Sequence, residues 1–400
     1  MTTETLKKVS AAGLFATALA TIGVMWHPAL WASTLPGVPA FCLVSVWLAG
    51  YLTNRVRLKV NIVLAPLVLA ALWPVFQLAI GATVYRWLTS TATIYWATGA
   101  ALVFTGLQAF SDSAIRRGYL RALVVLGFII AVVAPLQALT SEKIFWLFEV
   151  PHLVVPLGPF LYANQYAAFI VLILPIALTG LFEERAGWRM FSGLAGAVMY
   201  ASIFASLSRS GFVLTTIEVF VVPALAAKRS GLAWRQTLAV CAVFLAMLVV
   251  LGLSVGTERL EQKMRTEDPY RIRREFAQSS LRMLQDRPLM GVGMGNWPTV
   301  YPAYATFDNG LFANQAHCDW AQWAVEGGLP FAFLMVWVAV WSFRGAFRTG
   351  WGFGVAVVYI QCLIDFPIQR MGVAVIFFTL TAAMAYPDER SRRRTRAAAA

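Results

Sequence analysis

The sequence predicts an all-α polytopic membrane protein, and three observations carry that expectation. Of the 400 residues 59% are hydrophobic and 13% charged, with 15 Trp and 27 Phe, more apolar side chain than a soluble fold of this length keeps from water. Apolar runs near the 20 residues that cross a hydrocarbon core recur between short charged or Pro/Gly-rich turns. The basic residues gather in alternate turns, as they do on the cytoplasmic side of short membrane loops.

Twelve such runs are expected as transmembrane helices, at 11–26, 37–53, 61–84, 92–111, 118–138, 161–181, 190–207, 210–227, 236–255, 321–343, 350–366 and 370–386. The first follows Lys7 and Lys8 as a signal peptide would, but with eleven runs after it we expect an uncleaved span. Reading on from there, the turns expected to be cytoplasmic carry Arg55, Arg57 and Lys59; Arg116, Arg117 and Arg121; Arg185 and Arg189; Lys228, Arg229 and Arg235; Arg344 and Arg348; and the tail "RSRRRTR". The opposite short turns hold only Arg86, Lys143, Arg209 and Arg370. An even number of spans then places both termini in the cytoplasm. The formal charge of +13 reads as this orientation signal plus attraction to anionic membrane lipids. Nucleic acid is excluded as a partner, because the basic residues are dispersed among spans and form no groove.

Cys42, Cys241, Cys318 and Cys362 have neither metal nor redox spacing. No internal repeat is visible, so residues 1–400 are expected as one membrane domain. Two segments facing away from the basic turns exceed a tight turn, 139–160 and 256–320. The second, between spans 9 and 10, is expected to be a small helical periplasmic element, too short for a core of its own. Within it, residues 268–286 read as an amphipathic helix with Pro269 in its first turn. Ile272, Phe276, Ala277, Ser280, Leu281, Met283 and Leu284 share one arc, with Arg271, Arg274, Gln278, Arg282 and Gln285 opposite. Arg273 falls inside the apolar arc, where a guanidinium needs an anionic partner. The following Gly291, Gly293 and Gly295 have no strand before them and no helix opening after them, so a plain turn is favoured over a phosphate loop.

Polar candidates collect on the side away from the basic turns: Arg209 with Ser208 in "SLSRSG", Arg273, His317 with Asp319 in "HCDW", and Asp365 with Arg370 in "DFPIQR". Each has a plainer reading. Arg209 snorkels to the headgroups or is fixed by its turn; Asp365 and Arg370 pair with each other; His317 is an interfacial, hydrogen-bonded histidine or a titratable base. His27 and His152 read as structural. Glu218, near the middle of the eighth span, is a functional candidate by depth alone, or a protonated group bonded to a neighbouring helix.

The order "GPFLYANQYAAFIVLILPIAL" (158–178), "SLSRSG" (206–211), "RREFAQSSLRMLQDRPLMGVGMGNW" (273–297), "HCDWAQWAVEGGLP" (317–330) and "LIDFPIQ" (363–369) resembles the O-antigen ligase and O-antigen polymerase superfamily. "ANQYA" lacks the family's frequent histidine, and Cys318 stands where Asn is usual. The resemblance implies a C-type glycosyltransferase fold with its site on the periplasmic face of the inner membrane. It implies transfer of a glycan from an undecaprenyl diphosphate donor without metal or other cofactor, with His317 as the essential histidine and Arg209 and Arg273 on the diphosphate. Elementary chemistry agrees: a departing diphosphate needs charge compensation, which preorganised cations supply. Histidine is suited to take the proton of the acceptor hydroxyl, with Asp319 or Glu326 supporting its charge. The leading expectation is an O-antigen ligase with lipid A core as acceptor. The alternatives are a polymerase of the same superfamily and, from another class, a multispan lipid or solute transporter.

Overall fold

The computed structural model describes residues 2–150, 156–230, 234–254, 271–307, 310 and 312–386. These form fifteen α-helices. The first ten are α1 (Thr3–Val24), α2 (Leu30–Thr34), α3 (Gly37–Leu52), α4 (Leu64–Ala79), α5 (Arg86–Ala109), α6 (Ser113–Thr140), α7 (Ala163–Glu183), α8 (Ala186–Ser206), α9 (Arg209–Ser230) and α10 (Trp234–Ser254). Then come α11 (Arg271–Asp286), α12 (Trp297–Val300), α13 (Asp319–Thr349), α14 (Phe353–Gln361) and α15 (Met371–Ala383).

A helix overlies every one of the apolar runs marked out above. Among the described residues, five stretches are long and apolar enough to cross a membrane: Leu30–Leu52, Ser113–Thr140, Ala163–Glu183, Arg209–Arg229 and Asp319–Thr349. Leu64–Ala79, Trp234–Met247 and Met371–Ala383 are apolar but shorter. His152, Asp268 and Pro269 lie outside the described residues, and the amphipathic helix is described from Arg271.

Helix α7 is apolar on every face, and such a helix belongs in the interior. Tyr166 to Leu174 are at most 0% exposed, with α6, α8, α9 and α14 packed around them. Helices α1, α3, α4 and α15 group around α5, and α13 lies against both α4 and α14. The run at 350–366 is helical only as far as Gln361. Beyond it the chain turns through Leu363 and Ile364 into a 3-10 turn at Pro367–Gln369, because Pro367 has no N–H to continue a helix.

Helix α13 is broken at Gly328, whose φ of +71° a side chain rarely adopts. The break frees backbone carbonyls of Val325 and Glu326, and the glycine-rich stretch after α11 docks onto them: the amides of Val292 and Gly293 donate to the two carbonyls at 2.9 and 3.1 Å. A Cβ at Gly291 would lie 2.5 Å from both carbonyl oxygens, and one at Gly328 only 2.2 Å from the Leu289 carbonyl oxygen. The glycines therefore serve close backbone approach. Gln77 of α4 completes the joint, donating to the carbonyls of Met290 and Glu326 and accepting from the Met294 amide. Irregular backbone among membrane helices is tolerated where protein satisfies it in this way.

The Glu326 carboxylate caps the same joint. It accepts from the amides of Gly295 (2.9 Å) and Trp297 (3.1 Å) and from Gln322 Nε2 (2.9 Å). Glu326→Ala is expected to lower the unfolding temperature in detergent, since each buried donor left unpaired costs roughly 1–3 kcal/mol. Glu326→Gln keeps one acceptor oxygen and should lower it less; equal midpoints for all three proteins would contradict the capping role.

Candidate functional site

Three turns meet at the end of the bundle where α7, α9 and α13 begin. Helix α8 ends on Leu207 in the left-handed region (φ +53°), which swings the chain so that Ser208 caps α9. The Ser208 hydroxyl accepts the Gly211 amide at 3.1 Å and donates to Asn164 Oδ1 at 2.8 Å. Arg209 is thereby fixed as the first residue of α9, and it is exposed. Asn164, in the first turn of α7, also accepts from Gln361 Nε2 on its backbone carbonyl at 3.3 Å. Asn164 thus links the "SLSRSG" turn to the end of α14.

His317 sits at the mouth of α13, itself in the left-handed region (φ +53°). Its half-buried ring stacks on Phe276 of α11 at 5.7 Å between centroids and meets Phe366 edge-on at 4.9 Å. Nδ1 is buried and has no hydrogen-bond partner among the described residues. Burial and the charges of Arg273 and Arg370 push the imidazole down to about 4, so it is neutral at physiological pH.

The support expected for His317 from Asp319 or Glu326 is corrected by this geometry. Asp319 is fully buried and accepts from Gln369 Nε2 (2.8 Å), the Ile368 amide (3.1 Å) and the Cys362 thiol (3.3 Å). Its own amide donates to the carbonyls of Cys362 and Asp365. Asp319 therefore holds the 362–369 turn against the start of α13, while Glu326 caps the glycine-rich joint. A direct pair between Asp365 and Arg370 is likewise not formed. The Arg370 guanidinium instead lies over the rings of Phe366 (4.9 Å) and Tyr162 (6.0 Å).

Arg209, Arg273 and His317 line one cleft of about 840 Å³, together with Ser208, Asn164 and Arg274. Its other walls are mainly apolar, among them Val213, Leu214, Leu281, Leu284, Leu363 and Ile364, and no carboxylate among the described residues lines it. Helix α11 divides its apolar arc to make this wall. Phe276 and Met283 pack inward with Val292, Trp297, Tyr301, Ala316 and Val325, whereas Ala277, Leu281 and Leu284 face the cleft. Arg273 enters beside them, as its position inside the arc predicted.

Two cleft residues escaped the sequence reading. Arg274 reads as solvated from the helical wheel, yet it shares a stripe with Ala277 and Leu281 at i+3 and i+7, and that spacing was the available signal. Asn164 carried no signal beyond its place in "ANQYA". Glu218 is fully buried and its carboxyl has no hydrogen-bond partner among the described residues, but it does not line this cleft. His27 is structural: its Nδ1 accepts the Ala29 amide. No group of three His, Cys, Asp or Glu side chains among the described residues is placed to hold a metal ion.

The bundle and its cleft are consistent with a multi-pass helical membrane protein whose site combines guanidiniums with an apolar wall. Residues 194–336 match the family described as O-Antigen ligase. That match supports the O-antigen ligase and polymerase superfamily, whose members are glycosyltransferase-like enzymes. The matched segment contains Arg209, Arg273, Arg274 and His317, while Asn164, Asp365 and Arg370 lie outside it. No curated protein matches the chain.

Proposed function

We propose that the protein is an O-antigen ligase that moves a glycan from undecaprenyl diphosphate to lipid A core. The observation that carries this reading is the convergence of Arg209, Arg273 and His317 on one apolar-walled cleft. In the inner membrane the chain would cross twelve times as one domain, with both termini cytoplasmic. The cleft and the 256–320 element would then face the periplasm, the arrangement the basic turns favour.

The acceptor hydroxyl oxygen attacks the anomeric carbon, and the bond from that carbon to the diphosphate oxygen breaks with its electron pair on the diphosphate. His317 takes the hydroxyl proton. Arg209 and Arg273 hold the departing diphosphate, in fixed positions that need no reorganisation as charge develops. Asn164 and Ser208 fix the turn that carries Arg209, and Asp319 fixes the turn that meets His317. Asp365 and Arg370 border the same imidazole.

A pH profile follows from the depressed imidazole. The basic form is present above about 4 and lost as pH falls through that value, with burial, Arg273 and Arg370 opposing protonation. We expect kcat/KM, which reports the free enzyme, to stay level down to roughly pH 5 and to fall about tenfold per unit below 4. The acid limb of kcat should lie higher, because bound diphosphate offsets the guanidinium charges. A kcat/KM limb near the ordinary histidine value would contradict the assignment.

Cells lacking the protein test the acceptor. They should accumulate long glycan on the lipid carrier beside unmodified lipid A core. Accumulation of single repeat units instead would favour the polymerase of the same superfamily.

A further inference from the structure

His317 and Asn164, which line the arginine cleft, also border a second cavity, of about 310 Å³, and the chemistry of the two differs. The arginine cleft is cationic. The second cavity offsets Arg370 with Asp365 and adds the neutral amides of Asn314 and Gln315.

Three of the residues lining it hold buried polar atoms that have no hydrogen-bond partner among the described residues: Gln315 Oε1, His317 Nδ1 and Arg370 Nε. Buried polar atoms are satisfied in the great majority of cases. Three unsatisfied ones around one small cavity therefore mark the place of a ligand. Gln315 Oε1 can only accept, Arg370 Nε can only donate, and His317 Nδ1 accepts in the tautomer protonated at Nε2. Hydroxyl groups answer all three, since each donates one hydrogen bond and accepts others. Tyr162 and Phe312, both at least 49% exposed, bring ring surface to the same cavity for the C–H faces of a sugar. Asn314 and Gln315 also line a neighbouring cavity of about 240 Å³, which continues the pattern with Gln322, Gln369, Trp96 and Trp323.

We propose that this second cavity is the acceptor-sugar subsite, binding a neutral, hydroxyl-rich sugar through Asn314, Gln315 and Arg370 and presenting its hydroxyl to His317, which the two cavities share. The proposal rests on the glycosyl-transfer reading above and adds the residues that select the acceptor.

The test uses the full-length purified protein, with initial rates measured against lipid A core at saturating donor and against donor at saturating acceptor. Binding of undecaprenyl diphosphate is measured separately, without acceptor. Gln315→Leu should raise the acceptor KM on the order of tenfold, the loss of about one hydrogen bond. Donor KM and undecaprenyl diphosphate affinity should stay within twofold, which also shows that the variant is folded. Gln315→Glu keeps an acceptor oxygen and should recover most of the acceptor KM. An unchanged acceptor KM in Gln315→Leu, or a parallel loss of undecaprenyl diphosphate binding, would overturn the subsite while leaving the reaction standing. A wild-type protein that transfers nothing to any glycan acceptor would overturn both.

Discussion

Replacing His317 by asparagine is expected to cost on the order of 10²- to 10⁴-fold in turnover, the range for loss of a general base. Asparagine is the cleaner probe because His317 adopts φ +53°, a conformation that Asn tolerates and that costs alanine roughly 1–2 kcal/mol. His317→Ala should be at least as defective. Neither side chain can take a proton near neutral pH, and neither reproduces the stack on Phe276. Loss of turnover with undecaprenyl diphosphate binding retained would place the defect in chemistry. A purified Asn variant that turns over at near wild-type rate would remove His317 from the mechanism.

The second large effect concerns the arginines. Arg209 is fixed by the Ser208 cap and its bond to Asn164, and Arg273 by the packing of α11. Arg→Ala at either position is expected to cost roughly 2 to 4 kcal/mol of transition-state stabilisation, as removal of a preorganised charge donor does elsewhere. Arg→Lys should stay defective, because an ammonium cannot grip two phosphate oxygens in one plane as a guanidinium does. Affinity for undecaprenyl diphosphate should fall as well. Full activity in Arg209→Lys and Arg273→Lys would reduce these residues to general positive charge. Arg274 reaches the same cleft, and kinetics of Arg274→Ala beside them would show whether the clamp has two arms or three.

Much of this arrangement was legible because hydrophobic period and basic bias are properties of the chain itself. The positions of the apolar runs and the inward Arg273 could be read from helical geometry, and loop order put Arg209, Arg273 and His317 on one side; that these three share one site was what the family resemblance implied. The roles of Asp319 and Glu326 could not. An acidic residue near a histidine suggests a proton partner, but the broken backbone at Gly328 and the turn at Pro367 present buried amides with a prior claim on both carboxylates. Where a helix breaks in three dimensions is set by what docks against it, here the glycine-rich stretch after α11. Asp365 and Arg370 misled for a related reason: five residues apart in sequence, they are separated by the 3-10 turn, and Arg370 settles over aromatic rings instead.

The central claim is that arginines, with a histidine base, perform the transfer without a metal ion. The most direct measurement is transfer by the purified protein from an undecaprenyl diphosphate-linked glycan to lipid A core, in excess EDTA and again with Mg²⁺ or Mn²⁺ restored. The account predicts equal turnover under both conditions, with the arginine variants defective in each. Activity that vanishes with the chelator and returns with the metal would contradict it.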